Sequence, residues 1–408
     1  MTSRGKLLNV RRQQGLTLIE IMVALTIGLL LLLGLIQIFS ASRTAYQLSE
    51  GLARTQEDGR FAVDFLQRDI RMAGHSGCVN DEAHALSSVN TYTTAFGTGA
   101  GVHPALRFDV AIQGYEATNS APGGSGITIA ATPATGGSGW SPSLPTTLAT
   151  AIADRVQGSD ILVLRFLRPE GIPVTAVSGD GTAPSLSFNT SRWDVLRTGV
   201  TNPGLFGVAD CLNATVFEAN STTGGVIASA SAPLNALTFP AVYTAGQSMI
   251  YRAESVIYYV GLSSATNRPA LRRVRFDVAP GGAAVAYTVE DLVDGVENMQ
   301  LLFARDRQVT VTLAPTGYID QVATAGLTGG TGIDPSSSDA AAPAAAAAWK
   351  RVGAVQIGLL MVSPDRAAAA APAAMPVVQG TQVTVPADGR YRSVYQTTVA
   401  LRNRLFGG

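Results

Sequence analysis

Residues 11–20 read RRQQGLTLIE, and residues 21–39 continue IMVALTIGLLLLLGLIQIF. A basic segment runs directly into an apolar one, with a single carboxylate, Glu20, at the junction. Arg4, Lys6, Arg11 and Arg12 charge the segment before Leu16, and no acid offsets them; after Glu20 the next charge is Arg43. As a helix, Leu16 to Phe39 spans about 36 Å, enough to cross a hydrocarbon core of about 30 Å. Basic residues ahead of the run predict a cytoplasmic N-terminus, with the rest of the chain on the far side. An ordinary signal peptide fits the basic start but not the length of the run, and no A-x-A-like site closes it. A plain signal anchor leaves Glu20 unexplained, because a charge inside an apolar membrane segment is costly and calls for a partner.

The helical pattern outlasts the apolar run. Ala45, Leu48, Leu52, Thr55, Gly59, Ala62, Leu66 and Ile70 recur at spacings of three and four, the period of an amphipathic helix. Phe61, Val63, Phe65 and Met72 are expected to widen that face, and Gly74 and Gly77 to end it. No proline precedes Pro104, so one helix from about Leu16 to Met72 is predicted, roughly 85 Å long. Its first half would lie in a membrane or a filament core, and its second half against a globular head.

After Cys78 the period changes to that of strands. DILVLRFLR (160–168) reads as a central strand, and SVIYYVGL (255–262) and LRRVRFDV (271–278) as a pair flanking a loop. In the last of these Val274, Phe276 and Val278 face one way and Arg273, Arg275 and Asp277 the other, the mark of a half-buried antiparallel strand. ENMQLLFA (297–304), AVQIGLLMVS (354–363) and RSVYQTTVALRN (392–403) extend the sheet. TVEDLVDG (288–295) reads as a short helix with Thr288 and Asp291 at its N-terminal cap and Gly295 at its end. Residues 96–149, 324–348 and 366–376 are rich in Gly, Ala, Ser, Thr and Pro and read as surface loops. The fold class is thus α+β: a long N-terminal helix on a mainly antiparallel head.

Gly15 followed by LTLIE, behind a short basic leader, resembles the processing site of type IV prepilins. The resemblance implies cleavage between Gly15 and Leu16 by a prepilin peptidase, N-methylation of Leu16, and a role in assembly for Glu20. There the family's glutamate is thought to pair with the new amine of a neighbouring subunit. The first mature residue is usually phenylalanine in that family, and here it is Leu16. An amine and a carboxylate that share a low-dielectric setting attract strongly, and each needs the other.

Three further stretches, RFAVDFLQRDIRMAGHSGC (60–78), YTVEDLVDGVENMQLLF (287–303) and YRSVYQTTVALRNR (391–404), are similar to large minor pilins of the PilW type. The layout this implies is a leader at 1–15, a transmembrane half-helix at 16–39, an amphipathic half-helix at 40–76 and an extracytoplasmic head at 77–408. The implied partners are prepilin peptidase, other minor and major pilins and the inner-membrane pilus assembly machinery. The implied course runs from the inner membrane, with the head in the periplasm, to the pilus at the cell surface. The minor pseudopilins of type II secretion (the J type) share this plan, and an adhesive head on a pilin stalk is a second alternative.

The remaining composition excludes other classes. Only 14% of residues are charged and the net charge is zero, so the concentrated basic patch that nucleic acid requires is missing. Cys78 and Cys211 stand about 130 positions apart, and as a disulfide in an oxidising compartment they would stabilise by about 4–5 kcal/mol in the chain-entropy model. The alternative is a pair of buried free thiols. No CxxC or Cys/His cluster suits a metal, and no P-loop is present. His75, His84 and His103 lack ligand spacing and read as surface residues. GGSGWS (136–141) lacks the strand–helix setting of a nucleophile elbow, and SGDGT (178–182) reads as a turn. No catalytic group and no cofactor is expected.

Overall fold

One helix, α1 (Leu18–Met72, 55 residues), organises the molecule. The computed structural model describes residues 15–77, 92–239, 242–328, 332–367 and 374–401. Thr17 caps the start of α1, and the chain leaves the far end through Ala73 and then Gly74 at positive φ. Thr55, Gly59, Ala62, Leu66 and Ile70 are buried, as their spacing predicts, and Gly51 and Asp69 join them. Packing starts at Gly51: Ala45 and Leu48, the front of the expected stripe, are exposed. Phe61 also departs from expectation, with 53% of its surface in solvent.

The first part of the head supplies β1 (Tyr92–Thr94), β2 (Ile112–Ala117), β3 (Ile127–Thr128), β4 (Trp140–Ser141), α2 (Thr146–Ala151) and β5 (Ile161–Ser178). Next come β6 (Ser185–Phe188), α3 (Trp193–Arg197), β7 (Leu205–Ala209), β8 (Ala214–Glu218), β9 (Val226–Ala228), β10 (Met249–Leu262) and β11 (Pro269–Val278). β12 (Val285–Asp294), β13 (Val296–Asp306), β14 (Ile319–Ala323), α4 (Ala325–Thr328) and α5 (Ala342–Trp349) follow. β15 (Val352–Arg366), β16 (Val377–Val378), β17 (Thr381–Thr384) and β18 (Arg390–Ala400) complete the described head.

These strands form a large sheet, a four-stranded sheet in the order β14-β13-β15-β18, and a small sheet of β16, β17 and β3. In the large sheet β5 and β10 pair antiparallel along most of their length. The outer side of β10 takes β7 early and β11 late, and the outer side of β5 takes β2 early and β6 late. Of the strand pairings, β1 with β8 and β17 with β3 are parallel and the others antiparallel. The first seven residues of β5 and nearly all of β10 are buried, so both faces are covered there. The main core lies where α1 and the two larger sheets meet: Ala62, Leu66 and Ile70 pack with Leu164, Tyr258, Leu271, Leu301, Phe303, Ile357 and Val399.

The structure corrects the sequence reading in four places. Residues 288–295 are not a helix. Residues 288–294 belong to β12, where Arg273 pairs with Glu290 and Arg272 with Asp291 across the β11–β12 ladder, and Gly295 makes the turn that follows. Those cross-strand charges favour extension. The Gly-rich segment 96–149 is no plain loop, since it supplies β2, all six residues of which are buried. The Ala-rich tract within 324–348 ends in α5, which inserts Trp349 edge-on against Phe303, ring centroids 4.9 Å apart. Finally, His75 and His103 are half-buried: His75 Nδ1 contacts the Leu167 carbonyl at 2.8 Å, and His103 caps a helical turn through Ala105 N–H. His84 and Cys78 lie outside the described residues.

Candidate processing and assembly site

Gly15, Leu16 and Thr17 precede α1 in non-helical conformation. A side chain built on Gly15 would meet nothing within 4 Å, so the backbone between Gly15 and Leu16 is open to approach. Thr17 and Glu20 form a capping box. The Thr17 N–H and hydroxyl donate to Glu20 Oε2 at 3.1 and 3.0 Å, and the Glu20 N–H donates to Thr17 Oγ1 at 3.3 Å. Two otherwise orphaned amides are thereby satisfied, and the carboxylate is held at the positive end of the helix. The sequence reading named Glu20 and missed Thr17, although the T-x-x-E spacing was there to be read.

Beyond this box α1 presents an apolar surface that the head does not touch. Leu18, Leu25, Leu30, Leu35 and Phe39 are each more than 60% exposed. The helix is long and apolar enough to cross a membrane by length and composition. An exposed apolar face of this extent marks a membrane or protein contact.

The docked half is built differently. A side chain at Gly59 would lie 2.6 Å from the Tyr395 ring of β18, and one at Gly51 3.0 Å from Ala367 Cβ. Small residues therefore let the helix backbone approach the sheet. A polar tie completes the seat: the Tyr258 hydroxyl donates to buried Asp69 Oδ2 at 2.6 Å, and Arg273 Nη1 donates to the same oxygen at 3.2 Å. With both donors in place the buried carboxylate is paired, and burial without them would be costly.

Cys211 sits on the turn that joins β7 to β8, where Asp210 Oδ1 accepts the amides of Leu212 and Asn213 at 2.7 and 2.6 Å. No free thiol occurs among the described residues. Nor do the described residues hold a group of three or more potential His, Cys, Asp or Glu metal ligands. SGDGT is a turn, with Asp180 Oδ1 accepting from Thr182 and Ala183. In GGSGWS, Trp140 is anchored by Nε1–H donating to the Ser159 carbonyl at 2.9 Å.

A helix half bare and apolar and half seated on antiparallel strands, opening on a prepilin-type junction, is the arrangement expected of a pilin. Comparison with protein families agrees. The prokaryotic N-terminal methylation motif matches residues 10–36, which include Gly15, Leu16 and Glu20. The type IV pilus-assembly protein W family matches residues 257–403, from the second half of β10 through β18. Together they support a type IV pilus pilin of the PilW type. These families are structural pilus-assembly proteins. No curated protein and no solved structure matches the chain.

Proposed function

We propose that the chain is a minor pilin that primes or joins a type IV pilus, acting by assembly and without catalysis. The observation that carries the reading is the division of α1, with an apolar half free of the head and a second half seated on it. In this reading residues 1–15 are the leader, 16–39 span the inner membrane with the N-terminus in the cytoplasm, and 40–76 continue as the amphipathic half of the helix. The head, 77–408, lies in the periplasm and later at the cell surface.

Prepilin peptidase cuts between Gly15 and Leu16 and methylates Leu16. The new amine and Glu20 then set register with neighbouring pilins and the assembly machinery. The match to pilus-assembly protein W favours a pilus over a type II secretion pseudopilin. Cys78 and Cys211 form the disulfide of the exported head.

N-terminal sequencing of the purified protein tests the central claim: the expected first residue is a methylated Leu16. A chain beginning at Met1, or after another cut, overturns it. Glu20→Ala is expected to be processed normally and to fail to incorporate or prime, so normal piliation by that variant would remove the role given to Glu20. For the disulfide, peptide mass spectrometry is expected to find Cys78 linked to Cys211 until reductant is added; two free thiols in the exported protein would refute the pairing.

A further inference from the structure

A buried acid pair lies where the large sheet meets the four-stranded one. Glu116 is the fifth residue of β2, and Asp160 immediately precedes β5. Both are buried, with exposures of 6% and 1%. Asp160 is held by two backbone amides: Oδ1 accepts the Ala117 amide and Oδ2 the Leu301 amide of β13, each at 2.8 Å. One hydroxyl, Ser120 Oγ, approaches three acceptors, namely the Ala117 carbonyl at 2.7 Å, Glu116 Oε1 at 3.1 Å and Asp160 Oδ1 at 3.3 Å. A serine carries one proton, so the cluster is short of donors. Glu116 Oε2, also buried, makes no hydrogen bond of normal geometry among the described residues, and the Ala325 amide is its nearest donor.

The neighbouring charges are committed elsewhere. Arg305 of β13 donates to the Leu327 and Thr328 carbonyls of α4. Arg165 of β5 donates to the Val110 and Pro104 carbonyls, and Arg155 to those of Ala149, Ile152 and Gly137. Asp334 accepts from Tyr115 and Gln113. A metal ion does not fit, because the oxygens of Asp160 are occupied by amide donors that it would have to displace. A proton on Glu116 supplies what is missing, a donor toward Ser120 that removes a buried negative charge.

We propose that Glu116 and Asp160 form a proton-binding latch that fastens β2 and β5 to β13 and to α4, closing when Glu116 is protonated and loosening when it ionises. Burial raises the Glu116 carboxyl from its usual range to about 7, with Ser120 and the nearby amide of Ala325 pulling the other way. Burial also raises Asp160, and the Glu116 charge adds to the rise. Because the folded state holds the Glu116 proton more tightly than the unfolded chain does, the stabilisation is complete below about pH 4.5 and is lost as pH rises through about 7.

The test is thermal unfolding of the full chain in detergent between pH 5.5 and pH 8, with hydrogen exchange of the segment bearing α4 followed in parallel and corrected for intrinsic rates. Wild type is expected to lose roughly 2 °C of Tm across that range and to exchange faster around α4 at pH 8. Glu116→Gln, a permanent neutral mimic, is expected to flatten both trends. Asp160→Asn serves as a second variant: burial alone raises the Glu116 carboxyl, so the pH-dependent fall in Tm is expected to persist in it, and its loss would assign the effect to Asp160 and overturn the role given to Glu116. An unchanged pH profile in Glu116→Gln, or pH-independent exchange around α4 in wild type, overturns the latch.

Discussion

The two halves of α1 obey different rules within one uninterrupted helix. Leu18 to Phe39 is among the most apolar stretches of the chain and touches none of the head, whereas the half beginning at Gly51 is more polar and yet buried on one side. Apolar content therefore does not mark where the helix meets its own head. Small residues in register do: Gly51, Thr55, Gly59 and Ala62 recur every three or four positions and let the backbone come close to β15 and β18. The first half is built for a surrounding that the isolated chain lacks, and the second for one that it carries.

Three substitutions probe that contrast. Leu66→Ala, at a fully buried position of the docked half, is expected to cost about 2–5 kcal/mol in denaturant unfolding of the full chain, as cavity-forming core changes do. An effect near zero would mean that the helix is not part of the head's core. Gly59→Ala is expected to cost about 1–3 kcal/mol by overpacking against Tyr395. Gly34→Ala, where an added side chain meets nothing within 4 Å, is expected to change head stability by less than about 0.5 kcal/mol. Equal effects at Gly59 and Gly34 would erase the distinction between the halves.

Much of this architecture could be read from the chain because its signals are local. The stripe from Thr55 to Ile70 repeats at the helical period, and Val274, Phe276 and Val278 alternate on β11 as a half-buried strand requires. Gly15, Leu16 and Glu20 could be read because a processing site is a linear motif. What failed depends on distant partners. Val289, Leu292 and Val293 carry a helix-like spacing, and the ladder with β11, with its arginines facing Glu290 and Asp291, holds that segment extended as β12. IQGYEA (112–117) looks too mixed for a buried strand; its Gly114 is there because the Phe303 ring lies where a side chain would project. The alanines of α5 read as low complexity until Trp349 is seen to anchor them. The Glu116–Asp160 pair spans β2, β5 and β13, and no short window of sequence contains it.

The close seat of α1 has a mechanical consequence. About 50 Å of helix extends from Leu18 to Glu50 before the first contact with the head. No proline interrupts it, and at Gly51 it enters the sheet junction without a change of secondary structure. A pull on the apolar end is therefore delivered along a stiff rod into β15 and β18, with no linker to absorb it. The head must turn when the rod turns and rise when it rises, so the orientation in which it emerges is set at the far end of the lever.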